Sequence, residues 1–159
     1  MSGVPRSVRV SRVIRAPADQ LFRAWTDPQE LQHWWHLDEN GWECAGAVVD
    51  LRVGGEYRLA MTDPDGRTHV AIGVYREIQP GVRLAFTWDW ENPASRVGNT
   101  VVTVEFRDVG DDHTEVTVTH RFEDGTRIGM HERGWTDLLR LLERCTAGSS
   151  RAESTEAPG

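Results

Sequence analysis

Lysine is missing from this sequence of 159 residues, and all 18 of its basic residues are arginine. Without lysine the chain cannot form a Schiff base, anchor pyridoxal phosphate or build the nucleotide-binding P-loop, each of which uses a lysine amine. The 25 acidic residues outnumber the arginines, which gives a formal net charge of −7. Since the sequence also has no basic run, we expect neither nucleic acid nor an anionic membrane as a partner.

Cysteine and long apolar segments are also scarce. Cys44 and Cys145 are too few and too far apart for a disulfide framework or for a zinc site built on closely spaced cysteine pairs. The apolar runs fall far short of the roughly 20 residues that a membrane span needs, and residues 1–9 lack the apolar core of a secretory signal. These absences favour a cytoplasmic protein without a metal or another cofactor.

The length of the chain fits one domain. Residues 146–159 are small and polar, with no periodic apolar pattern, which predicts a disordered tail. Residues 1–6 are predicted to be a loose N-terminus, which leaves a single domain over residues 7–145.

Hydrophobic periodicity predicts an α+β protein. Residues 8–15 form a predicted strand, Ala16-Pro17 leads into a helix, and a second short helix over Pro28–Trp34 follows its cap, Asp27. From residue 49 to residue 122 apolar residues recur at every second position, in segments separated by Gly- and Asp-rich turns, which indicates an antiparallel meander. Between residues 126 and 145 the period changes to 3.6, which predicts one amphipathic helix long enough to cover the sheet.

The alternation assigns one face of each strand to the interior. The residues placed there are Val49 and Leu51; Tyr57, Leu59 and Met61; Val70, Ile72, Val74 and Ile78; Val82, Leu84, Phe86, Trp88 and Trp90; Val102, Val104 and Phe106; and Val116, Val118, His120 and Phe122. The long helix contributes the stripe Ile128, His131, Trp135, Leu138, Leu139, Leu142 and Cys145. A curved sheet that faces such a helix leaves a space between them, where a ligand usually binds.

Short matches, in this order and spacing, resemble a known superfamily. They are Ala16-Pro17 leading to Ala-Trp-Thr-Asp-Pro at 24–28, Trp34-Trp35, Asp-Leu-Arg-Val-Gly-Gly at 50–55, Asp65-Gly66, Gly-Val-Tyr at 73–75, Phe-Thr-Trp-Asp-Trp at 86–90, residues 114–120, and His-Glu-Arg-Gly-Trp at 131–135. Over about residues 7–145 the chain is similar to the SRPBCC superfamily, also called START-like, helix-grip or Bet v 1-like. Within it, the chain most resembles the C-terminal domain of the heat-shock chaperone ATPase activator.

The resemblance implies a helix-grip fold. In that fold a curved antiparallel sheet of six or seven strands wraps around a long C-terminal helix, and two short helices follow the first strand. Members of the superfamily include lipid carriers, plant hormone receptors, polyketide aromatase/cyclases, co-chaperones and self-sacrificing enediyne-resistance proteins. Because one fold serves so many functions, the function has to be argued from the site.

Tryptophan is abundant, with seven residues against two tyrosines and four phenylalanines. Ordinary core packing accounts for inward tryptophans such as Trp88, and so does an aromatic pocket for a flat apolar ligand, since an indole offers both a face and an N–H donor. The predicted ligand-binding residues are Tyr57, Met61, Val74, Phe86, Trp88, Trp90, Val104, His120, Phe122, His131, Trp135, Leu138 and Leu139. Trp34, Trp35 and His36 are predicted to form a lid or entrance.

Three polar residues fall on the predicted apolar faces: His120 on the last strand, His131 at the start of the long helix, and Tyr57. A buried polar group needs a hydrogen-bond partner, which either the protein or a ligand can supply. An imidazole can also transfer protons near neutral pH. These three residues are therefore candidates both for the pocket and, should the protein be an enzyme, for acid–base catalysis.

The other reactive side chains predict neither a metal site nor a nucleophile. His33 and His36 have helical spacing but no carboxylate or thiol at ligand spacing, so no metal site is predicted. Cys145 is predicted to be a buried, inert thiol. Arg76 falls in the inward register, and it is either displaced outward by a bulge at Gly73 or an anchor for an acidic ligand group.

The sequence therefore favours a non-enzymatic protein that holds an aromatic or polyketide-like ligand between sheet and helix, as a monomer or weak dimer. Two alternatives use the same pocket: an aromatase/cyclase or dehydratase with His and Tyr acid–base groups, and a self-sacrificing resistance protein. A further alternative is a co-chaperone that activates a chaperone ATPase through the outer face of the sheet.

Overall fold

The computed structural model describes residues 7–35, 41–95, 98, 100–122 and 128–156 and shows an α+β fold. Strand β1 (Ser7–Ile14) precedes two short helices, α1 (Ala18–Thr26) and α2 (Pro28–Trp34). Six strands follow, and helix α3 (Ile128–Glu156) comes last. The six strands are β2 (Glu43–Val49), β3 (Glu56–Thr62), β4 (Thr68–Gln79), β5 (Arg83–Trp90), β6 (Thr100–Gly110) and β7 (His113–Arg121). The predicted fold class is confirmed.

The seven strands form one antiparallel sheet in the order β1-β7-β6-β5-β4-β3-β2. Successive strands from β2 to β7 are neighbours, as the meander prediction requires, and β1 pairs with β7 from Ser7 opposite Arg121 to Ile14 opposite Thr114. Helix α3 lies against the inward face of this sheet, and Arg12 of β1 forms an ion pair of 2.6 Å with Glu143 of α3.

The two short helices are fixed to each other by local chemistry. The Asp27 carboxylate caps α2 by accepting from the Gln29 N–H at 2.8 Å, and Pro28 occupies the first position, where its missing N–H costs nothing. The indole N–H of Trp34 donates to the Ala24 carbonyl of α1 at 2.8 Å. Both helices thus place their aromatic residues against the sheet as one unit.

Strand β2 starts and ends earlier than the periodicity predicts. Residues 44–47 are small and carry little alternation of hydrophobicity, and the pairing register shifts between Cys44 and Gly46. Leu51, which the alternation assigned to the interior, lies instead in the turn after β2, where the Arg52 N–H bonds to the Asp50 carbonyl, and it is 43% exposed.

In strand β4, the residues predicted to face inward lie on the outer face of the sheet up to Val74. Gly73 pairs with Tyr57, and Val74 pairs with Glu56, so Val74 and Ile72 lie on the outer face of the sheet. The prediction that Val74 lines the interior site is therefore wrong. The pattern misled because β4 is apolar on both faces, and alternation alone does not say which row faces inward.

Near the end of β4, a bulge brings the inward-facing residues back to those predicted. The pairing register shifts between Tyr75 and Glu77, which leaves Arg76 as the extra residue, exposed to solvent. After the bulge, Ile78 lies opposite Leu84 and packs against the core. The bulge is thus at Arg76 itself, and of the two alternatives for this arginine the structure shows the displaced one.

Helix α3 continues to Glu156, through residues that the sequence analysis assigned to a disordered tail. The Thr146 side chain is buried and its hydroxyl donates to the Leu142 carbonyl at 2.9 Å. Alanine, arginine and glutamate in this segment favour helix without an apolar stripe, and the next proline is Pro158. The absence of periodicity therefore did not mean the absence of helix.

The hydrophobic core lies between the inward face of the sheet and the three helices. Leu21 of α1, Leu31 of α2, Leu84 of β5, Val104 of β6 and Leu142 of α3 are among its fully buried members. In the described part of the chain, no helix combines the length and the apolar character needed to cross a bilayer.

Candidate functional site

Six tryptophans from four elements form one continuous cluster in the core. Neighbouring rings have centroids 5.0 to 6.1 Å apart, the spacing of attractive aromatic pairs. Trp35 occupies the centre and contacts Trp25, Trp34, Trp88 and Trp135. The full set is Trp25, Trp34, Trp35, Trp88, Trp90 and Trp135. Two predicted lid residues are therefore packed into the same cluster as the predicted pocket residues of β5 and α3.

Three of these indoles have buried N–H groups without an acceptor. Trp25, Trp35 and Trp88 are each at most 3% exposed, and among the described residues none provides a hydrogen-bond partner for their Nε1 atoms. A buried donor left unpaired costs about 1–3 kcal/mol. Packing alone needs only the faces of these rings, so the three N–H groups are hydrogen-bonding capacity that the core itself does not use.

A chain of hydrogen bonds holds His120 between the sheet and α3. The indole N–H of Trp135 donates to His120 Nδ1 at 3.0 Å, and His120 Nε2 is 2.9 Å from the Thr100 hydroxyl. Because an indole can only donate, Nδ1 must be unprotonated and Nε2 must carry the hydrogen, which it gives to Thr100 Oγ1. The Thr100 hydroxyl in turn donates to the Trp88 carbonyl.

This arrangement keeps His120 neutral. Burial, together with the neighbouring His131, lowers the pKa of His120 to about 3. The His131 ring centroid is 5.1 Å away, and Phe122 stacks on the other side at 4.0 Å. With both nitrogens engaged and a pKa far below 7, His120 is suited to joining α3 to the sheet rather than to proton transfer.

The space left inside the core is small. A cavity of about 10 Å³ lies where α1 and α2 face strands β3, β4 and β5. Its wall consists of Trp25, Leu31, Trp35, Tyr57, Leu59, Tyr75 and Phe86. A volume of that size holds about one water molecule, so the tryptophans fill most of the space expected between sheet and helices.

Tyr57 crosses the sheet surface at Gly73. Its hydroxyl donates to the Thr87 carbonyl of β5, and burial raises its pKa well above 10. A Cβ at position 73 would lie 2.5 Å from the Tyr57 hydroxyl and 1.9 Å from the Thr87 carbonyl oxygen. Only glycine fits here, since the Tyr57 ring occupies the place of a side chain.

The outer face of the sheet bears a groove of about 580 Å³. Its apolar floor includes Val48, Ile72 and Val74, and Val48 is 65% exposed. Charged residues surround the floor, and Arg58 and Glu91 among them form a two-point ion pair with both N···O distances at 3.0 Å. The full lining is Val48, Glu56, Tyr57, Arg58, Ile72, Gly73, Val74, Thr87, Asp89 and Glu91.

The structure places most of the predicted pocket residues on the inner side, but as packed core. Among the predicted ligand-binding residues, the buried ones are Tyr57, Met61, Phe86, Trp88, Val104, His120, Phe122, His131, Trp135, Leu138 and Leu139. Trp90 is half-buried and contacts Trp88. Only Tyr57 and Phe86 of the predicted set reach the 10 Å³ cavity, with Trp35 of the predicted lid. His36 lies outside the described residues.

Among the described residues, the remaining reactive side chains are scattered. Cys145 is half-buried rather than buried, and its thiol is 3.4 Å from the His33 carbonyl, in a groove between α2 and α3. Within the described ranges, no three His, Cys, Asp or Glu side chains come together as metal ligands would.

Four of the seven cavity residues, Trp25, Leu31, Leu59 and Tyr75, lie outside the predicted ligand-binding and lid sets. The alternation of β4 predicts that Tyr75 faces outward. Tyr75 faces inward because the bulge at Arg76 shifts the register of the strand. Burial raises the pKa of the Tyr75 phenol. Gly73 was the available signal, because a glycine opposite Tyr57 in a paired strand suggests that the tyrosine lies over it.

The fold matches solved structures over nearly the whole chain. A protein from Chromobacterium violaceum is 25% identical, with a TM-score of 0.79 and coverage of 89% of this chain and 97% of that one. A heat-shock protein 90 activator from Plasmodium falciparum is 25% identical, with a TM-score of 0.65 and coverage of 89% and 96%. An AHSA1-like protein from Aeromonas hydrophila, at 23% identity, has a TM-score of 0.74 and coverage of 90% and 94%.

No curated protein matches the sequence. Residues 15–147, however, match the family described as Activator of Hsp90 ATPase homolog 1-like protein. That match covers most of the chain and confirms the resemblance that the short motifs carry. The chain therefore belongs to the Activator of Hsp90 ATPase homolog 1-like family.

Proposed function

We propose that the chain holds an apolar small molecule in the tryptophan-rich interior, as a binding protein rather than an enzyme. The observation that carries this proposal is the set of three buried indole N–H groups without acceptors, on Trp25, Trp35 and Trp88. Packing alone leaves each of these N–H groups without the acceptor that a buried donor needs. A ligand that accepts these hydrogen bonds offsets the cost of burying them.

Binding requires side chains to move, since about 10 Å³ does not hold a ligand. Trp135 is held by His120, and Trp88 lies within the sheet. Trp25 lies on α1 and Trp35 directly follows α2, and displacement of these two side chains would widen the cavity. The short helices α1 and α2 would thus act as the lid that the sequence predicts.

Tryptophan fluorescence and amide NMR test this proposal. Titration with planar hydrophobic compounds should shift the emission and the amide signals of α1, α2 and β5 together, with saturation. A matched control is the variant Trp42→Phe, since Trp42 contacts His69 and lies apart from the six-tryptophan cluster. The proposal is wrong if every compound leaves the spectra unchanged or shifts them only in proportion to its concentration.

A second candidate function is binding of a partner protein on the outer face of the sheet. The groove of about 580 Å³ favours it, because exposed apolar residues on a sheet are typical of interaction surfaces. The family description and the Plasmodium falciparum neighbour support an Hsp90-type ATPase as the partner.

A direct assay separates this candidate from the first. The chain should raise the ATPase rate of a purified Hsp90, and Val48→Arg should abolish the increase by placing a charge on the groove floor. Val82→Arg is the control, since Val82 is 54% exposed but lies outside the groove. No stimulation by the wild-type chain, or equal loss in both variants, would contradict this role.

A further inference from the structure

The hydrogen-bond donors and acceptors around the tryptophan cluster are not balanced. The Tyr57 hydroxyl is used on the Thr87 carbonyl, and the Thr100 hydroxyl is used on the Trp88 carbonyl. Both nitrogens of His120 are engaged, as described above. The donors of these two hydroxyls and both nitrogens of His120 are thus engaged within the protein.

Three indole donors of the cluster have no acceptor among the described residues. They are the N–H groups of Trp25, Trp35 and Trp88. An indole N–H cannot accept a hydrogen bond, so a ligand group that satisfies it must be an acceptor. Trp25 and Trp35 line the cavity directly, and Trp88 lies behind Trp35 with ring centroids 6.0 Å apart.

The lining also lacks charge. The seven residues around the cavity are aromatic or aliphatic, and their only ionisable groups are two tyrosines, both with raised pKa values because they are buried. Neither tyrosine ionises at neutral pH, and His120 behind the cluster is neutral too. A ligand carboxylate or amine would be buried here without a counter-ion, which is strongly unfavourable.

We infer, on the basis of the proposed function, that the ligand is a neutral planar molecule whose hydrogen-bonding groups are oxygen acceptors, such as the carbonyl groups of a quinone or an aryl ketone. Its rings stack on the indole faces, and its oxygens accept from the indole N–H groups of the cluster. A planar hydrocarbon without oxygen atoms would leave these N–H groups without an acceptor.

Two probes of equal shape test the inference. Anthraquinone carries two carbonyl oxygens, and anthracene has the same three-ring plane without them. We expect anthraquinone to bind at least about tenfold more tightly, which is the order expected when one or more buried donors gain an acceptor. In proton–nitrogen NMR spectra, the indole N–H signals of Trp25 and Trp35 should move downfield with anthraquinone but not with anthracene.

Matched variants identify the donors. Trp35→Phe should reduce the preference for anthraquinone over anthracene, because it removes an N–H that has no partner in the protein. Trp34→Phe removes an N–H that already donates to Ala24, and it should leave the preference unchanged. The indole signals of the wild-type chain give the same information if either variant fails to fold.

The outcomes separate this inference from the proposed function. Equal affinity for the two probes, with no downfield shift of an indole signal, would overturn the acceptor inference and leave the binding function intact. Tighter binding of anthracene-2-carboxylate than of anthraquinone would overturn the requirement for a neutral ligand. Absence of binding by all three probes would contradict the binding function itself for planar ligands.

Discussion

The two faces of the sheet differ in what covers them. On the inner face, residues of the two short helices and of β3, β4 and β5 leave a cavity of about 10 Å³, whereas the outer face has an open groove of about 580 Å³ over the same strands. The inner cavity is lined by aromatic and aliphatic residues without charge, while the outer groove has β-branched residues with charged neighbours. Tyr57 belongs to the wall of both spaces, so its position at Gly73 is where the two faces meet.

The comparison shows how one strand can serve two surfaces. Alternate residues of β4 point to opposite faces, so Tyr75 is in the aromatic interior while Ile72 and Val74 form part of the outer floor. The inside is filled because helices supply large side chains from above. The outside stays concave because none of the described elements is packed over it.

The largest expected effect comes from Gly73→Ala, which places a methyl group where the two faces meet. The new Cβ would be 1.9 Å from the Thr87 carbonyl oxygen, so β4 and β5 would have to separate. We expect a loss of more than about 4 kcal/mol in the free energy of unfolding, or failure to fold. Urea denaturation followed by circular dichroism measures it, and a stability close to wild type would show that the strands adjust freely at this point.

The second effect is the contribution of His120, on the inner face, to the pH dependence of stability. The pKa of His120 is about 3 in the folded protein and 6.5 in its ordinary state, so below pH 6.5 the unfolded chain takes up a proton that the folded chain refuses. The free energy of unfolding should therefore fall as the pH drops from 6.5 towards 3, by up to about 1.4 kcal/mol per pH unit for this one group.

Urea titrations at several pH values, on the wild type and on His120→Gln, isolate that contribution from the carboxylates. In His120→Gln the free energy of unfolding should depend less steeply on pH, because the variant lacks the proton that the unfolded wild type takes up at His120. His113→Gln, at the hairpin between β6 and β7, removes a histidine outside the core and is the control. A slope that is the same in wild type and His120→Gln would mean that His120 is not held neutral.

The third effect compares two buried indoles. Trp135→Phe removes a donor and leaves His120 Nδ1 without a partner, whereas Trp88→Phe removes a donor that had no acceptor. Both substitutions leave a similar cavity, so the difference reports the hydrogen bond. We expect Trp135→Phe to be more destabilising by about 1–3 kcal/mol in urea denaturation. Equal losses would mean that the Trp88 N–H is also paired in solution.

The fourth effect is a gain in stability at another glycine. A Cβ at Gly134 of α3 would meet no atom within 4 Å, so Gly134→Ala adds helix propensity without a clash. We expect an increase of about 0.5–1 kcal/mol in the free energy of unfolding. Thermal and urea denaturation should agree on the sign, and a decrease would indicate that α3 packs more closely there than the structure shows.

The smallest effect on stability is expected on the outer face. Val48→Arg replaces a residue that is 65% exposed, and it should change the free energy of unfolding by less than about 0.5 kcal/mol. A stable variant is what makes Val48→Arg useful in the ATPase assay proposed above. A loss of several kcal/mol would show instead that the groove floor is part of the core.

The sequence predicted most of the elements, and the reasons are local. Turn residues mark the hairpins at 63–66, 80–81 and 110–112, and the Asp27-Pro28 pair marks the start of α2. Strand β2 was displaced because its small residues carry no alternation, and the end of α3 was missed because a polar helix has no stripe. These errors share one cause, since hydrophobic periodicity reports burial and not backbone conformation.

The candidate site was predictable in composition but not in arrangement. Hydrophobic periodicity predicted inward positions for Trp88, Trp90 and Trp135. All three belong to the cluster in the structure. Val74 was predicted to face inward and Tyr75 outward, and the structure has the reverse. A single bulge, which no local pattern marks, sets which residues of β4 face inward. The outer groove could not be predicted at all, since it depends on which residues of four strands lie side by side.

The sequence by itself determined the order of the elements, the antiparallel meander and the supply of aromatic residues to one side of it. Backbone propensity, turn chemistry and alternation act within a few residues, so they can be read from the chain. Only the tertiary structure decided that the tryptophans fill the space under the helices, that Trp135 has an acceptor in His120, and that Trp25, Trp35 and Trp88 have none. Volume and hydrogen-bond pairing depend on residues far apart in the sequence, and they are fixed when the strands and helices pack together.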